Sequence, residues 1–446
     1  MPAFFNFFWG VSRVDFLVAA RNLIQHTRRT LFLGTAIAVV TALMVLLTGL
    51  STGTSETMVR SATTLMSGHV NVGGFYKITE GTSAPVVTDY RKIVDLVKAS
   101  VPEMEYATAR GRGWAKLISD TGSIQVGVSG IDIEAEPGFQ QVVEVVSGSV
   151  ADLAKPDTLL IFENQAKKLD VKVGDALTFS APTSHGINNT ADVKVVAIAR
   201  DLGLLSGFNV YIPAVSLRSL YRLNSDTTGA IMIHLKPEEV VRAPQVVARL
   251  RTDLEKAGYR VMDADPQPFF IKFDKVNRED WVGQKLDVTS WKDELAFFSW
   301  TLKAINGLAA ILLTILLAII VVGIMNTMWI AIRERTREIG TLRAIGMQRE
   351  QVVRQFLLEA LLLGALSTVI GAALGALAGQ AINAARLPVP IAGQIFLLTS
   401  HFFISVHPSA LLSAVGTITA ITGLAALYPS LRAARLKPVN AMQHFG

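Results

Sequence analysis

Four runs of mostly apolar residues stand out from an otherwise mixed chain: Leu31–Leu50, Gly307–Ile332, Leu357–Ala385 and Ala410–Tyr428. Each meets the length of about 20 residues that a helix needs to cross a bilayer. The first run carries no charge, Asn326 is the most polar member of the second, Glu359 is the charge in the third, and the fourth ends at Pro429. The pattern predicts membrane helices over 31–50, 301–332, 351–385 and 410–429, one followed by three. Between them lie segments 1–30, 51–300, 333–350, 386–409 and 430–446. The first run could also be the core of a cleaved signal peptide. Such cores run to about 7–15 residues, and this run is longer and follows a charged stretch, so a retained anchor is predicted.

Segment 51–300 changes period. Ile124, Val126 and Val128 alternate on one face of a hairpin over 114–133 that turns near Asp120–Gly122. Further strands are predicted at 69–72, 158–162, 193–199, 210–212 and 231–235, and helices at 89–99, 163–169, 216–221 and 238–256. Asp280–Asn306 begins charged and aromatic and grades into the second run; with Trp281, Trp291, Phe297, Phe298 and Trp300 it reads as a helical stalk passing through an interfacial aromatic belt. The fold class predicted is an α-helical membrane protein with four transmembrane helices and a large mixed α/β extracytoplasmic domain between the first and second.

Charge placement orients this arrangement. Arg13, Arg21, Arg28 and Arg29 precede the first run, Arg333, Arg335, Arg337, Arg343 and Arg349 separate the second from the third, and Arg432, Arg435 and Lys437 follow the fourth. Residues 31–330 instead hold 28 Lys and Arg against 31 Asp and Glu. Each basic cluster abuts an apolar run, which is the positive-inside pattern and not a nucleic-acid footprint. Both termini and the 333–350 loop are therefore expected in the cytoplasm. The chain has no cysteine, which excludes a disulfide framework and thiolate metal sites.

Catalytic chemistry is hard to find. The seven histidines are scattered (26, 69, 185, 234, 401, 407, 444) without paired metal-ligand spacing. His69, within a strand, reads as a structural residue. No phosphate-cradling G-x-x-x-x-G-K-[ST] occurs, so any ATP and Mg must be bound by another chain.

The densest information lies in Asn326–Glu359. Glu334 with Arg337 and Arg335 with Glu338 are i,i+3 pairs supporting a short helix, after which Ile339, Leu342 and Ile345 turn the pattern amphipathic and Gly346 suits a C-cap. Spacing alone leaves two uses open: resting on lipid headgroups, or docking a protein. The stretch Asn326-Thr327, Glu334-Arg335-Thr336-Arg337-Glu338-Ile339-Gly340 and Leu342-Arg343-Ala344-Ile345-Gly346, continued by Phe356 and Glu359, resembles the signature of the FtsX-like, MacB-type family of ABC-transporter permeases. Arg21-Asn22-Leu23 resembles the family's opening motif and 429–438 its closing one. Ser67-Gly68-His69-Val70 and Trp291 resemble the LolC/LolE lipoprotein-releasing branch.

That resemblance implies an inner-membrane permease without an ATPase site of its own. Glu334–Met347 would be a coupling helix seated in a groove of a cytoplasmic ABC ATPase subunit. Ile339, Leu342, Ile345 and Met347 would lie in the groove and Glu334, Arg335, Glu338 and Arg343 at its rim. A second permease copy or paralogue would complete the complex. Stalks would relay ATP-driven movement to the outer domain, for lipoprotein release with a periplasmic carrier or, as the alternative, for MacB-like export of a peptide, toxin or drug. A membrane-anchored sensor is the alternative from another class. Gly371, Gly375 and Gly379 form a small-residue ridge for helix packing, against this chain's own spans or a second permease. Glu359 either reaches the interface or acts as an intramembrane acid.

Overall fold

The computed structural model describes residues 13–79, 82–183, 186–390, 393, 394, 397, 399 and 401–435. Residues 1–12 of the N-terminal segment, His185, His444, part of the 386–409 segment and the closing motif from Leu436 lie outside them. The chain divides into two compact units, the first comprising Met1–Ser55, Lys303–Leu387 and Phe402–Gly446, the second Glu56–Leu302 and Pro388–His401.

The first unit is helical. Arg13–Gln25 precedes Thr27–Ala62, Ala296–Glu334, Arg349–Ala385 and Pro408–Ala434, and these last four are long and apolar enough to cross a membrane. Their shared core is built from Ile37, Ile324, Phe356, Leu357, Ile418 and Ala426, all buried. With no hydrophobic drive between helices in lipid, close approach depends on small residues. A Cβ added at Gly375 would come within 2.9 Å of the Ala42 carbonyl oxygen, and one at Gly371 would collide with the backbone of Ala38. The ridge therefore packs on the first span of its own chain. Gly379 turns toward Ile404 and Val406, and Gly364 toward Thr422 of the fourth span.

The second unit is built on an 11-stranded sheet among the described residues. Its main path runs Gly283–Ser290, Val70–Thr79, Ala230–Leu235, Met104–Ile118, Ser123–Ile131, Asn209–Pro213, Thr158–Phe162, Asn188–Ala199 and Val145–Gly148. Most neighbours are antiparallel, but Asn209–Pro213 pairs parallel to Ser123–Ile131 and Thr158–Phe162 parallel to Asn188–Ala199. Helices Tyr90–Ser100 and Ala243–Lys256 cover one part through Ile93, Val97, Val246 and Leu250. Glu163–Leu169 and Ala214–Tyr221 cover another through Leu169, Leu217 and Leu220. The helix read over 238–256 is divided: Pro237–Arg242 is a 3-10 turn and the α-helix starts at Ala243, where Pro244 fits the first turn because its missing N–H has no helical partner there.

The stalk prediction is corrected. Gly283–Ser290 is a strand paired with Val70–Thr79 over eight positions, not a rod. Leu286 and Val288 enter the core, and Asp287 is accommodated because the buried Lys272 ammonium lies 2.7 Å from it. Trp281 is not an interfacial anchor; it is buried with Phe75, Met262 and Val276. Helix resumes only at Trp291–Glu294, capped by Ser290 and Asp293, and then at Ala296–Glu334.

The first-span helix ends in the second unit in a π-helical turn, Thr63–Ser67. The Leu65 carbonyl in that turn accepts from Arg110 Nη1 (2.6 Å) and Tyr211 Oη (3.1 Å), while Arg110 also pairs with buried Glu136. Burial pushes the Tyr211 phenol up, so it stays a donor. His69 is structural, its Nδ1 accepting from the Leu235 N–H at 2.9 Å.

A candidate coupling loop

The loop between the second and third spans is shaped by three local events. Ala296–Glu334 stops at Arg335, whose backbone (φ −102°, ψ 13°) leaves the helical path. Thr336–Ala344 forms the short helix. Gly346, at φ +119°, then reverses the chain, a conformation that a side chain would strain. The Met347 N–H closes back on the Leu342 carbonyl at 3.0 Å, and Gln348 with Gln351 caps Arg349–Ala385.

One face of this loop is fastened inward. Ile339 is buried among Val352, Phe356 and Ala433. Arg335 is buried as well, its Nη1 donating to both carboxylate oxygens of Glu359 at 2.9 and 3.1 Å. Asn22 Nδ2 donates to the same carboxylate, and Asp15 pairs with Arg354 at 3.1 Å, so helix Arg13–Gln25 is tied to the third span at two points. Arg29 reaches Glu334 at 3.2 Å, and Arg343 Nη1 donates to the Ala434 carbonyl at 2.6 Å. Residues from the opening motif, the central signature and the third span thus meet on Glu359.

The other face is open. Arg337, Glu338, Thr341, Leu342 and Ile345 are exposed, Leu342 by 46% and Ile345 by 80%. Of the residues predicted to dock a partner, the structure leaves Leu342, Ile345, Glu334 and Glu338 at the surface. It turns Arg335 and Ile339 inward, and Met347 is half-buried against the same core. Arg335 cannot stand at a rim because an unpaired guanidinium in this apolar setting would be costly, and Glu359 supplies its partner. Asn22, Arg29 and Ala434 are participants that reading the loop alone missed. The signal for Asn22 was its place in the opening motif.

Four long apolar helices with an α/β unit between the first and second define a multi-pass membrane protein, and the anchored loop with one open face is a feature of its helical unit. The chain belongs to the FtsX-like, MacB-type family of ABC-transporter permeases: residues 310–438 match the FtsX-like permease C-terminal model and residues 31–253 the MacB-like periplasmic core domain. It is 41% identical over 123 residues to the macrolide export ATP-binding/permease protein MacB of Nitrobacter winogradskyi, covering 27% of this chain and 17% of that one. It is 31% identical over 181 residues to the MacB of Shigella boydii (38% and 26%). The ABC transporter permease YvrN of Bacillus subtilis is 36% identical over 122 residues (27% and 26%). The matched region therefore spans between 17% and 26% of these relatives' lengths. Among solved structures, the extracellular domain of the transporter YknZ from Gram-positive bacteria aligns with 42% of this chain and 95% of its own, at 13% identity and a TM-score of 0.29.

Proposed function

We propose that this permease couples ATP hydrolysis in a separate cytoplasmic ATPase subunit, which holds the ATP and Mg, to a conformational change in its own α/β unit outside the cytoplasm. The observation that carries this is the two-faced helix Thr336–Ala344 and its following turn. Ile339 and the Arg335–Glu359 pair hold one face, while Leu342 and Ile345 remain exposed at i,i+3 spacing beside Glu338. Burying two such side chains in a partner groove contributes about 1.5–3 kcal/mol each, and an anchored helix loses little entropy on docking. The arginine clusters that abut the apolar runs support a reading with the loop and both termini on the cytoplasmic side of a bacterial inner membrane. Helices of 36 and 39 residues, Thr27–Ala62 and Ala296–Glu334, extend about 54 and 58 Å, well beyond an apolar core of about 30 Å, and so suit a relay of movement. A second permease completes the complex, and its contact must use a surface other than the Gly371–Gly375 ridge, which the first span occupies.

Two cargo readings rest on different observations. Relatives named as macrolide exporters favour the MacB-like reading, export of a peptide, toxin or drug. Ser67-Gly68-His69-Val70 and Trp291, which resemble LolC/LolE, favour lipoprotein release with a periplasmic carrier.

Affinity purification from native membranes tests the coupling. The wild-type chain is expected to bring down a soluble ATPase, and a Leu342→Asp/Ile345→Asp variant to lose it while still inserting and melting as wild type. Glu338→Lys is the cleaner charge test, because Arg343 is already engaged with Ala434. Retention of the ATPase and of coupled hydrolysis in the double variant would overturn the docking role.

A further inference from the structure

The α/β unit has an open-sided cavity of about 320 Å³ that the coupling scheme does not use. Aromatic and aliphatic side chains make most of its wall, among them Trp114, Phe208, Phe269, Phe270 and Met232. Trp114, Phe208 and Phe270 are 53%, 56% and 38% exposed, a concentration of apolar surface of the kind that marks a binding site.

One cation stands in this wall. Arg112, on strand Met104–Ile118, lies with its guanidinium 4.2 Å from the ring centroid of Phe269. The contact fixes the guanidinium and leaves its in-plane N–H groups available. Its Nη2 is buried and has no hydrogen-bond partner among the described residues. Glu294 and Asp287 act on Arg112 through space without bonding it: Asp287 Oδ2 accepts from Lys272 at 2.7 Å while its Oδ1 has no hydrogen-bond partner among the described residues, and Glu294 accepts from the Thr289 hydroxyl at 2.8 Å. Burial holds the Arg112 pKa below its ordinary value, as for a cation short of a counter-charge.

The neighbouring sheet adds to this. Asn71, Met232 and Thr108 sit in register across three antiparallel strands, and paired residues share a face. The side-chain polar atoms of Asn71 and Thr108 are also buried without partners among the described residues. Buried polar groups are nearly always satisfied in native proteins, so the unsatisfied Arg112 Nη2 in the wall of this apolar cavity, with Asn71 and Thr108 paired across the sheet to the lining residue Met232, points to something that fills it.

We propose that this cavity binds an anionic amphiphile, an alkyl or acyl chain with a carboxylate or phosphate head, the head on Arg112 and the chain along Trp114, Phe208 and Phe270. A cationic amphiphile would place a second positive charge against an already desolvated guanidinium. The site rests on the cavity alone, so its failure would leave the permease reading intact.

The test uses the full chain in nanodiscs of zwitterionic lipid. The probes are palmitate and hexadecyl phosphate, each carrying a diazirine at the chain end, with labelled positions mapped by peptide mass spectrometry. Label is expected at Trp114, Phe208 or Phe270, competed by palmitate but not by its methyl ester or by hexadecyltrimethylammonium; the two probes tell which acidic head is preferred. Arg112→Met should reduce labelling about tenfold or more, with partial recovery in Arg112→Lys. Label confined to the four spans, or unchanged in a folded Arg112→Met, would overturn the proposal. Should that variant not fold, equal competition by the acid, the ester and the ammonium in the wild type would overturn it instead.

Discussion

Removing either partner of the Arg335–Glu359 pair is expected to destabilise the helical unit far more than removing both. The two side chains are 8% and 7% exposed and joined by two hydrogen bonds. Among the described residues, Arg335→Met leaves a buried carboxylate with Asn22 as its one donor, and Glu359→Leu leaves a buried guanidinium with no acceptor. Truncating one member of a buried pair costs about 3–5 kcal/mol, whereas apolar replacement of both is often close to neutral. At roughly 2–4 °C per kcal/mol for a unit of this size, each single variant should melt roughly 6–20 °C below wild type. The double variant should recover at least half of that loss. Thermal melting of the detergent-purified chain, followed by size-exclusion chromatography, reads all four corners of the cycle. Single variants within a few degrees of wild type, or a double variant showing the sum of both losses, would refute the reasoning.

Two further outcomes follow from the packing. Gly371→Leu should prevent recovery of folded chain, because its Cβ alone meets the Ala38 backbone, whereas Gly416→Leu, with nothing within 4 Å, should express as wild type; equal yields would show that the first span does not pack on the ridge. In the α/β unit, burial holds His69 down to about 4 and His234 down to about 3. Both are depressed below the ordinary value near 6.5, so the unfolded chain binds more protons as pH falls. Their contribution is fully favourable above about pH 6.5 and is lost progressively below it. Between pH 6.5 and 5 they should cost roughly 3 kcal/mol together. Melting of a His69→Gln/His234→Gln variant should be flatter than wild type over that window, and parallel curves would contradict the assignment.

Elements with a strong local pattern were legible. Thr158–Phe162, a short continuous apolar run, and Glu163–Leu169 fall where they are predicted, and the four long helices overlap the four apolar runs. In Asp280–Asn306 the helix continuous with the second span is present from Ala296, but Gly283–Ser290 is a strand that composition did not reveal. The segment's charges and tryptophans suggested an interface, yet Asp287 finds Lys272 and Trp281 finds a small core, partners that lie at other places in the chain. Similarly, Arg335 and Ile339 looked like surface residues of an amphipathic helix. Their inward turn depends on Glu359 and Phe356, roughly twenty residues on, and on Asn22 from the opposite end of the chain.

Hydropathy, charge asymmetry and the central motif thus determine by themselves that this chain places four helices in a membrane, carries an α/β unit between the first two and belongs among the permeases. These are properties of residues and their near neighbours, and bilayer thickness and helix or strand period act on them directly. Only the tertiary structure decides which face of helix Thr336–Ala344 is spent on its own core, which span the glycine ridge meets, and that Arg112 Nη2 lacks a hydrogen-bond partner among the described residues beside an aromatic cavity. Each of those depends on a residue distant in sequence brought within a few ångströms, and burial changes what that residue costs or contributes.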